Sequence, residues 1–154
     1  MNHRVTLFDY QALAEFRYQI RRFQRFSEEA ARQANVEPQQ HQLMLAVKGK
    51  PPGEAARIGY LAERLQIQHH SAVELVDRLA TKGLISRTRS SEDRREVFVK
   101  LTPRGEHVLA ELTMHTSAEL RSAAPALVAS LRKLASRQRS SRPRRAKSAV
   151  MAEA

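Results

Sequence analysis

The chain has no cysteine among its 154 residues, and this absence removes several kinds of chemistry at once. Without thiols it cannot form disulfides, build a thiolate zinc site or sense oxidants through its own sulfur. It also lacks an apolar run as long as a membrane span, and its first residues, MNHRVTLFDYQ, contain no hydrophobic signal segment. With a hydrophobic content of 42%, we expect a soluble, cytoplasmic protein of one domain that makes no contact with membranes.

Motifs for catalysis are missing as well. The sequence has no glycine-rich phosphate loop, no nucleophile elbow and no pair of carboxylates in an apolar setting. The six histidines do not favour a metal site. His69 and His70 are adjacent, so in a helix they point about 100° apart, while His107 and His115 are two helical turns apart. We therefore expect no enzyme activity, no metal and no cofactor.

Positive charge is in excess. The formal net charge of +11 at pH 7 is large for this length and indicates a polyanionic partner. Six of the basic residues lie in the tail: Arg137, Arg139, Arg142, Arg144, Arg145 and Lys147. Subtracting them from 27 leaves 21 basic against 16 acidic residues, so the tail carries about half of the excess. Its low complexity predicts a disordered segment over 137–154 that can bind phosphates without sequence preference.

Residues 58–82 have the pattern of two short helices joined by a tight turn. Apolar residues recur at helical spacing from Ile58 to Leu65, and a second amphipathic helix is predicted from about His69 to Lys82. A left-handed Gly83 would end this second helix. The capping-box spacing of the serine and glutamate at 71 and 74 either fixes its start or only steadies its first turn. Together they predict a helix-turn-helix.

The polar face of the second helix suits the major groove of DNA, with base edges near its first residues and phosphates near its later ones. That face consists of Gln68, His69, His70, Ser71, Glu74, Arg78 and Lys82. An ordinary solvated helix face is the alternative. Glu74 would repel phosphate unless it accepts a hydrogen bond from cytosine or pairs with Arg78, four residues later.

A basic β-hairpin follows. Residues 84–89 and 96–101 alternate as strands do, and a polar loop separates them. Its cations near the tip, Arg87, Arg89, Arg94 and Arg95, indicate an anionic partner, for which a narrow minor groove is well suited. Asp93 can orient the guanidinium of Arg95 in a bidentate pair. Residues 56–58 can add a short third strand. A helix-turn-helix followed by a basic hairpin is a winged helix.

Several short segments of the sequence together resemble those of a known family. The segments are Leu61-Ala62-Glu63-Arg64-Leu65, Leu75-Val76-Asp77-Arg78-Leu79, Lys82-Gly83-Leu84-Ile85, the wing residues Asp93, Arg95, Leu101 and Thr102, and Pro103-Arg104-Gly105. In this combination, and over about residues 10–136, the chain resembles the MarR family of transcription regulators. The resemblance implies a homodimer, and usually a repressor, that is released from DNA by a small aromatic or phenolic ligand. The histidines at 69 and 70 are unusual for such proteins, so no operator preference is carried over.

Helices at both ends of the chain are predicted to form the dimer. A helix capped by Thr6 or Asp9 is predicted to about residue 35, another begins at Pro38, and Thr102 caps a helix after which Pro125 begins a further turn. Their apolar stripes have no partner within a small winged helix. The expected interface residues are Leu13, Phe16, Ile20, Leu112, Leu127, Leu131 and Leu134. The expected lining of a ligand pocket is Tyr10, Phe16, Tyr18, Phe23 and His41.

The sequence thus predicts a mainly α protein with a small β-hairpin wing, a winged helix-turn-helix with N- and C-terminal dimerisation helices. The expected segments are 1–35 for dimerisation, 36–102 for DNA binding, 103–136 for dimerisation and 137–154 for the basic tail. Its expected partners are double-stranded DNA, a second copy and a small aromatic ligand. Two alternatives remain open: an architectural protein that coats DNA without strong sequence preference, and a winged helix used as a protein-interaction module.

Overall fold

A computed structural model describes residues 5–90 and 96–140 of the chain. Its element order is α1 (Leu7–Gln33), α2 (Pro38–Lys48), α3 (Ile58–Leu65), α4 (His69–Thr81), β1 (Ile85–Arg89), β2 (Val97–Leu101) and α5 (Pro103–Ser140). The predicted fold class, mainly helical with one β-hairpin, is confirmed. The described residues form two compact units, one within residues 23–121 (the winged-helix unit) and one within residues 1–22 and 122–154 (the terminal unit).

The helix ends follow local sequence signals. The backbone N–H of Thr6 donates to the carboxylate of Asp9 at 2.8 Å, which closes the start of α1. Pro38 is the first residue of α2, where a missing N–H costs nothing, and the side chain of Gln40 accepts from the backbone N–H of Glu37 at 3.1 Å. The helix α4 begins at His69, before Ser71, so the serine and glutamate at 71 and 74 do not fix its start. Its N-cap residue, Gln68, makes no side-chain capping bond.

Between α4 and α5 the backbone is held closely. Gly83 has φ of 70°, the left-handed conformation expected of a residue that ends a helix. The hydroxyl of Thr102 donates to the carbonyl of Gly83 at 2.7 Å and accepts from the N–H of Gly105 at 3.0 Å. A Cβ added at Gly105 would lie 1.9 Å from the carbonyl oxygen of Leu84, so only glycine lets α5 approach this turn.

The hairpin is antiparallel, and its register pairs Ile85 with Leu101, Arg87 with Val99, and Arg89 with Val97. The expected third strand is reduced to one bridge between Arg57 and Phe98, next to a hydrogen bond from the N–H of Val99 to the carbonyl of Ala56 at 2.9 Å. The wing therefore rests on the chain just before α3 at one point of β2.

One core fills the winged-helix unit. Its largest fully buried side chains come from α2, α3 and α4: Leu43, Met44, Leu61, Leu75 and Leu79. Ile85 and Val99 at the base of the wing join the same cluster, as does Leu109 of α5. Burial of such side chains contributes about 1.5–3 kcal/mol each, so this cluster holds the recognition elements together.

The last helix differs from the prediction. A new stretch of helix was expected to begin at Pro125, but α5 continues through this residue. Pro125 lacks the N–H that would bond to the carbonyl of Arg121, so the ladder loses one bond there without ending. The helix also reaches Ser140, so residues 137–140 of the expected disordered tail are helical, and 141–154 lie outside the described residues. No described helix is apolar enough over a sufficient length to cross a membrane.

Candidate DNA-binding surface

The N-terminal half of α4 is an exposed polar surface. Gln68, His69, His70 and Glu74 are exposed, and Ser71 is partly so. Leu75, Val76 and Leu79 on the opposite side of the helix are buried in the core. The helix is thus anchored by its apolar face and presents its first two turns outward, as a helix that reads the major groove must.

The C-terminal half of α4 is instead engaged in contacts within the chain. Arg78 lies 3.7 Å from the carboxylate of Glu37, which precedes α2, rather than pairing with Glu74. The ammonium of Lys82 donates to the carbonyl of Asn35 at 3.0 Å and to the side-chain oxygen of Gln40 at 3.2 Å. The two cations expected to contact phosphates from this end of the helix therefore make contacts within the chain.

The first arginine of the wing is engaged as well. Its guanidinium, that of Arg87 on β1, forms an ion pair with the carboxylate of Asp77 on α4. Sequence reasoning placed Arg87 on DNA and assigned Asp77 no role. An acid on the otherwise basic end of a predicted recognition helix was the available signal for such a pair, because it would repel phosphate if it had no cation beside it.

Arg89 differs from Arg87 although both side chains lie on the same face of the hairpin. Arg89 is exposed, two residues nearer the tip, and has no ion pair among the described residues. Asp93, Arg94 and Arg95 lie outside the described residues, so their roles at a minor groove stay predictions. Arg89 is thus a described wing cation near the tip that is available to an anionic partner.

A cation that sequence reasoning did not single out supports the base of the wing. Arg57 lies 3.2 Å from the carboxylate of Glu96 and 5.4 Å from the ring centre of Phe98. Both partners flank or belong to β2, so the guanidinium holds this strand against the start of α3. The third strand expected over residues 56–58 placed this region beside the hairpin, but no local signal indicated the ion pair of Arg57.

The residues expected to line a ligand pocket have different environments. Tyr10 and Tyr18 are exposed, Phe16 and Phe23 are partly buried, and His41 is only 1% exposed. Among the described residues, neither ring nitrogen of His41 has a hydrogen-bond partner, and burial lowers the pKa of its imidazole from the ordinary 6.5. This histidine is a neutral core residue, and its ring is not available to a ligand from solvent.

A separate groove of about 430 Å³ opens between α2 and α3 in the winged-helix unit. Leu45 and Leu65 provide apolar surface, Tyr60 a phenol, Gln42 an amide and Arg64 a guanidinium. None of the expected pocket residues contributes to it. Within 5–90 and 96–140, no three histidine, aspartate or glutamate side chains are grouped so that they could hold a metal ion.

The surface and fold agree with comparisons to known proteins. Residues 34–96 match the sequence profile of the MarR family. AbsC, a MarR family transcriptional regulator from Streptomyces coelicolor, is similar in structure with a TM-score of 0.69 and 18% identity, over 90% of this chain and 99% of that one. The sequence match and the structural similarity together support a MarR-family winged-helix regulator.

Two further solved structures of the same fold were bound to, or regulated by, other molecules. CouR, a transcriptional repressor bound to a 23-mer DNA duplex, has a TM-score of 0.59 and 26% identity, over 77% of this chain and 87% of that one. BpsR of Bordetella bronchiseptica, whose DNA binding is regulated by 6-hydroxynicotinic acid, has a TM-score of 0.61 and 20% identity, over 81% of this chain and 98% of that one. The MarR-family match covers α2 through β1 and ends just before β2, so it includes α4 and the first strand of the wing.

Proposed function

We propose that this MarR-family protein is a homodimeric repressor that reads a specific DNA sequence with the N-terminal half of α4. The supporting observation is that the N-cap residue Gln68 and the residues His69, His70 and Glu74 of the first two turns are exposed together, on a helix whose opposite face is buried in the core. Two such helices in a symmetric dimer would enter major grooves about one helical turn apart on a pseudo-palindromic site. Arg89, and Arg95 oriented by Asp93, would reach the flanking minor grooves.

A second copy is proposed as the partner of the terminal unit. Large apolar side chains of α1 and α5 are exposed there: Leu7 by 71%, Leu13 by 49% and Leu131 by 46%. Of the other expected interface residues, Phe16, Ile20, Leu127 and Leu134 are partly buried. Leu112, in contrast, is 4% exposed in the single chain, so little of its surface is left for a partner. Exposed apolar surface of this kind is typical of an obligate interface.

The proposed effector is a small aromatic acid or phenol, and the groove between α2 and α3 is a candidate for its site. Its size is in the range of small-molecule pockets. Arg64 can bind a carboxylate, and Tyr60 and Leu65 can contact a ring. For such a ligand to release DNA, it must bind more tightly to a protein conformation that does not fit the operator.

The test is a selection of preferred duplexes from a random pool, followed by binding titrations against the selected duplex and a scrambled one of equal length. We expect a preference of about a thousandfold or more at about 150 mM salt. Arg95→Ala should weaken binding to the selected duplex by about 1–3 kcal/mol while the dimer stays intact. Hydroxylated aromatic acids should release the duplex from the wild-type protein, and Arg64→Gln should raise the concentration needed.

Equal and strongly salt-dependent binding to both duplexes would contradict the proposal and favour an architectural protein. A folded dimer without affinity for either duplex would favour a protein-interaction module. If both duplexes bind equally, deletion of residues 137–154 distinguishes DNA binding by the tail from DNA binding by the folded part of the chain. If the tail acts only on phosphates, its loss lowers affinity for both duplexes alike and reduces the salt dependence.

A further inference from the structure

Core packing holds only the base of β1. Ile85, its first residue, is buried, whereas Ser86, Arg87, Thr88 and Arg89 are all exposed. Beyond that base, β1 is paired with β2, and its described side-chain contact with α4 is the ion pair between Arg87 and Asp77. The polar contact, rather than apolar burial, is therefore what joins the outer part of this strand to the recognition helix.

The position of Asp77 is unusual for its charge. It lies on α4, next to the arginine at 78 and on the helix proposed to enter the major groove. A carboxylate there costs binding energy through repulsion by phosphates unless it contributes elsewhere. The pair with Arg87 is that contribution, and it also neutralises a guanidinium that would otherwise be a phosphate ligand.

We propose that Asp77 and Arg87 are positioning residues: their ion pair sets the placement of the wing relative to the recognition helix, and thereby the DNA sequence and groove spacing that the subunit accepts. This inference rests on the proposed function and replaces a direct DNA contact by Arg87. Each subunit must place α4 in the major groove and the wing tip in a minor groove at once. A loosened wing would lose that simultaneous fit while the charges that attract any DNA stay in place.

Asp77 and Arg87 have opposite charges, so the direction in which each substitution changes DNA affinity tests the inference. If Arg87 bound phosphate directly, removing the Asp77 carboxylate would release it and strengthen binding. If the pair positions the wing, removing either partner has the same effect. We therefore compare Asp77→Asn, which keeps side-chain size, and Arg87→Gln, which keeps a polar side chain without the charge, with the reversed pair Asp77→Arg/Arg87→Asp.

The expected result is a loss of specificity of about tenfold or more in each single variant, measured as the ratio of affinities for the selected and scrambled duplexes. The salt dependence of binding should stay as in the wild type, since no phosphate contact is lost. The reversed pair should recover most of the ratio. Glu28→Gln is the matched control, because it breaks another half-exposed pair, with Arg32 within α1, and should leave the ratio unchanged.

Tighter binding by Asp77→Asn to both duplexes, together with weaker binding and a salt slope lower by about 1 in Arg87→Gln, would overturn the inference and make Arg87 a phosphate ligand. An unchanged ratio in both single variants would also overturn it. If the wild-type protein selects no sequence at all, the proposed function fails, and a measurement without DNA then decides the inference.

That measurement is the distance between spin labels on Thr88→Cys and His70→Cys, which can be placed without other changes because the chain has no cysteine. Labelled protein diluted into unlabelled protein reports the distance within one subunit. We expect a narrow distribution with Asp77 present and a broad one with Asp77→Asn. The same narrow distribution in both would contradict a positioning role. Thermal unfolding should barely change, since a half-exposed pair contributes little stability.

Discussion

The two units of the chain bury opposite kinds of residue. In the winged-helix unit most of the largest fully buried side chains are apolar, such as Leu43, Leu61 and Leu79. In the terminal unit the buried residues are small or polar: Ala12, Gln19, Ala123 and Ser130. Its large apolar side chains are instead exposed, and they include Val5, Leu7, Phe8, Tyr10, Leu13, Tyr18, Val128 and Leu131.

This difference shows which unit can fold by itself. Burial of large apolar groups is the main favourable term in folding, so the winged-helix unit has a core of its own. The terminal unit has helices with apolar faces but few large side chains buried by the single chain. We infer that its core is completed between two copies, and that association and DNA reading are carried by different parts of the sequence.

The largest effect is expected from a charge in the exposed apolar face of the terminal unit. Leu131→Asp would place a carboxylate in the proposed interface, where burial without a partner is costly. We expect the dimer dissociation constant to rise roughly a hundredfold or more, measured by analytical ultracentrifugation. The control is Ser136→Asp, an exposed position on a different side of α5. A Leu131→Asp protein that remains dimeric at the same concentration would refute the assignment of this face.

The next effect concerns the winged-helix unit. Gly105→Ala would place a methyl group against the backbone of Leu84, and one of the two backbones would have to move. We expect a loss of roughly 2–3 kcal/mol in the free energy of unfolding, measured by urea denaturation.

The matched control is Gly59→Ala in α3, where an added Cβ meets nothing within 4 Å. Alanine there should be neutral or should stabilise the helix by up to about 1 kcal/mol. Equal stability of both variants would mean that α5 does not approach the turn at Leu84 so closely.

The smallest effect is a pH dependence that belongs to the winged-helix unit. Burial lowers the pKa of His41, so its neutral form is favoured in the folded state. Its contribution to stability is fully present above the ordinary pKa of 6.5 and is lost as the pH falls from there through the lowered pKa.

Urea denaturation at pH 7.5 and 5.5 should therefore show a smaller loss of stability on acidification in His41→Leu than in the wild type. His70→Leu on the exposed face of α4 is the control and should keep the wild-type difference. The same loss in all three proteins would show that His41 does not titrate with folding.

Local signals made most of the fold predictable. Pro38, Gly83 and Thr102 with Pro103 marked helix ends, and the structure has those ends at or within one residue of the predicted positions. The alternation of residues 84–89 and 96–101 predicted both strands. Pro125 was misleading, because a proline in a long helix removes one hydrogen bond, a loss that the neighbouring turns can tolerate.

The residues of the candidate DNA-binding surface were predictable from sequence. Which of them form ion pairs within the chain was not. Sequence alone determined that the chain forms a winged helix with an exposed polar face on α4, since helix periodicity, capping and turn chemistry act within a few residues. Only the tertiary structure decided that Arg78 pairs with Glu37, that Arg87 pairs with Asp77, and that His41 is buried. Such pairings join residues of different elements, and their geometry exists only after the core has brought those elements together.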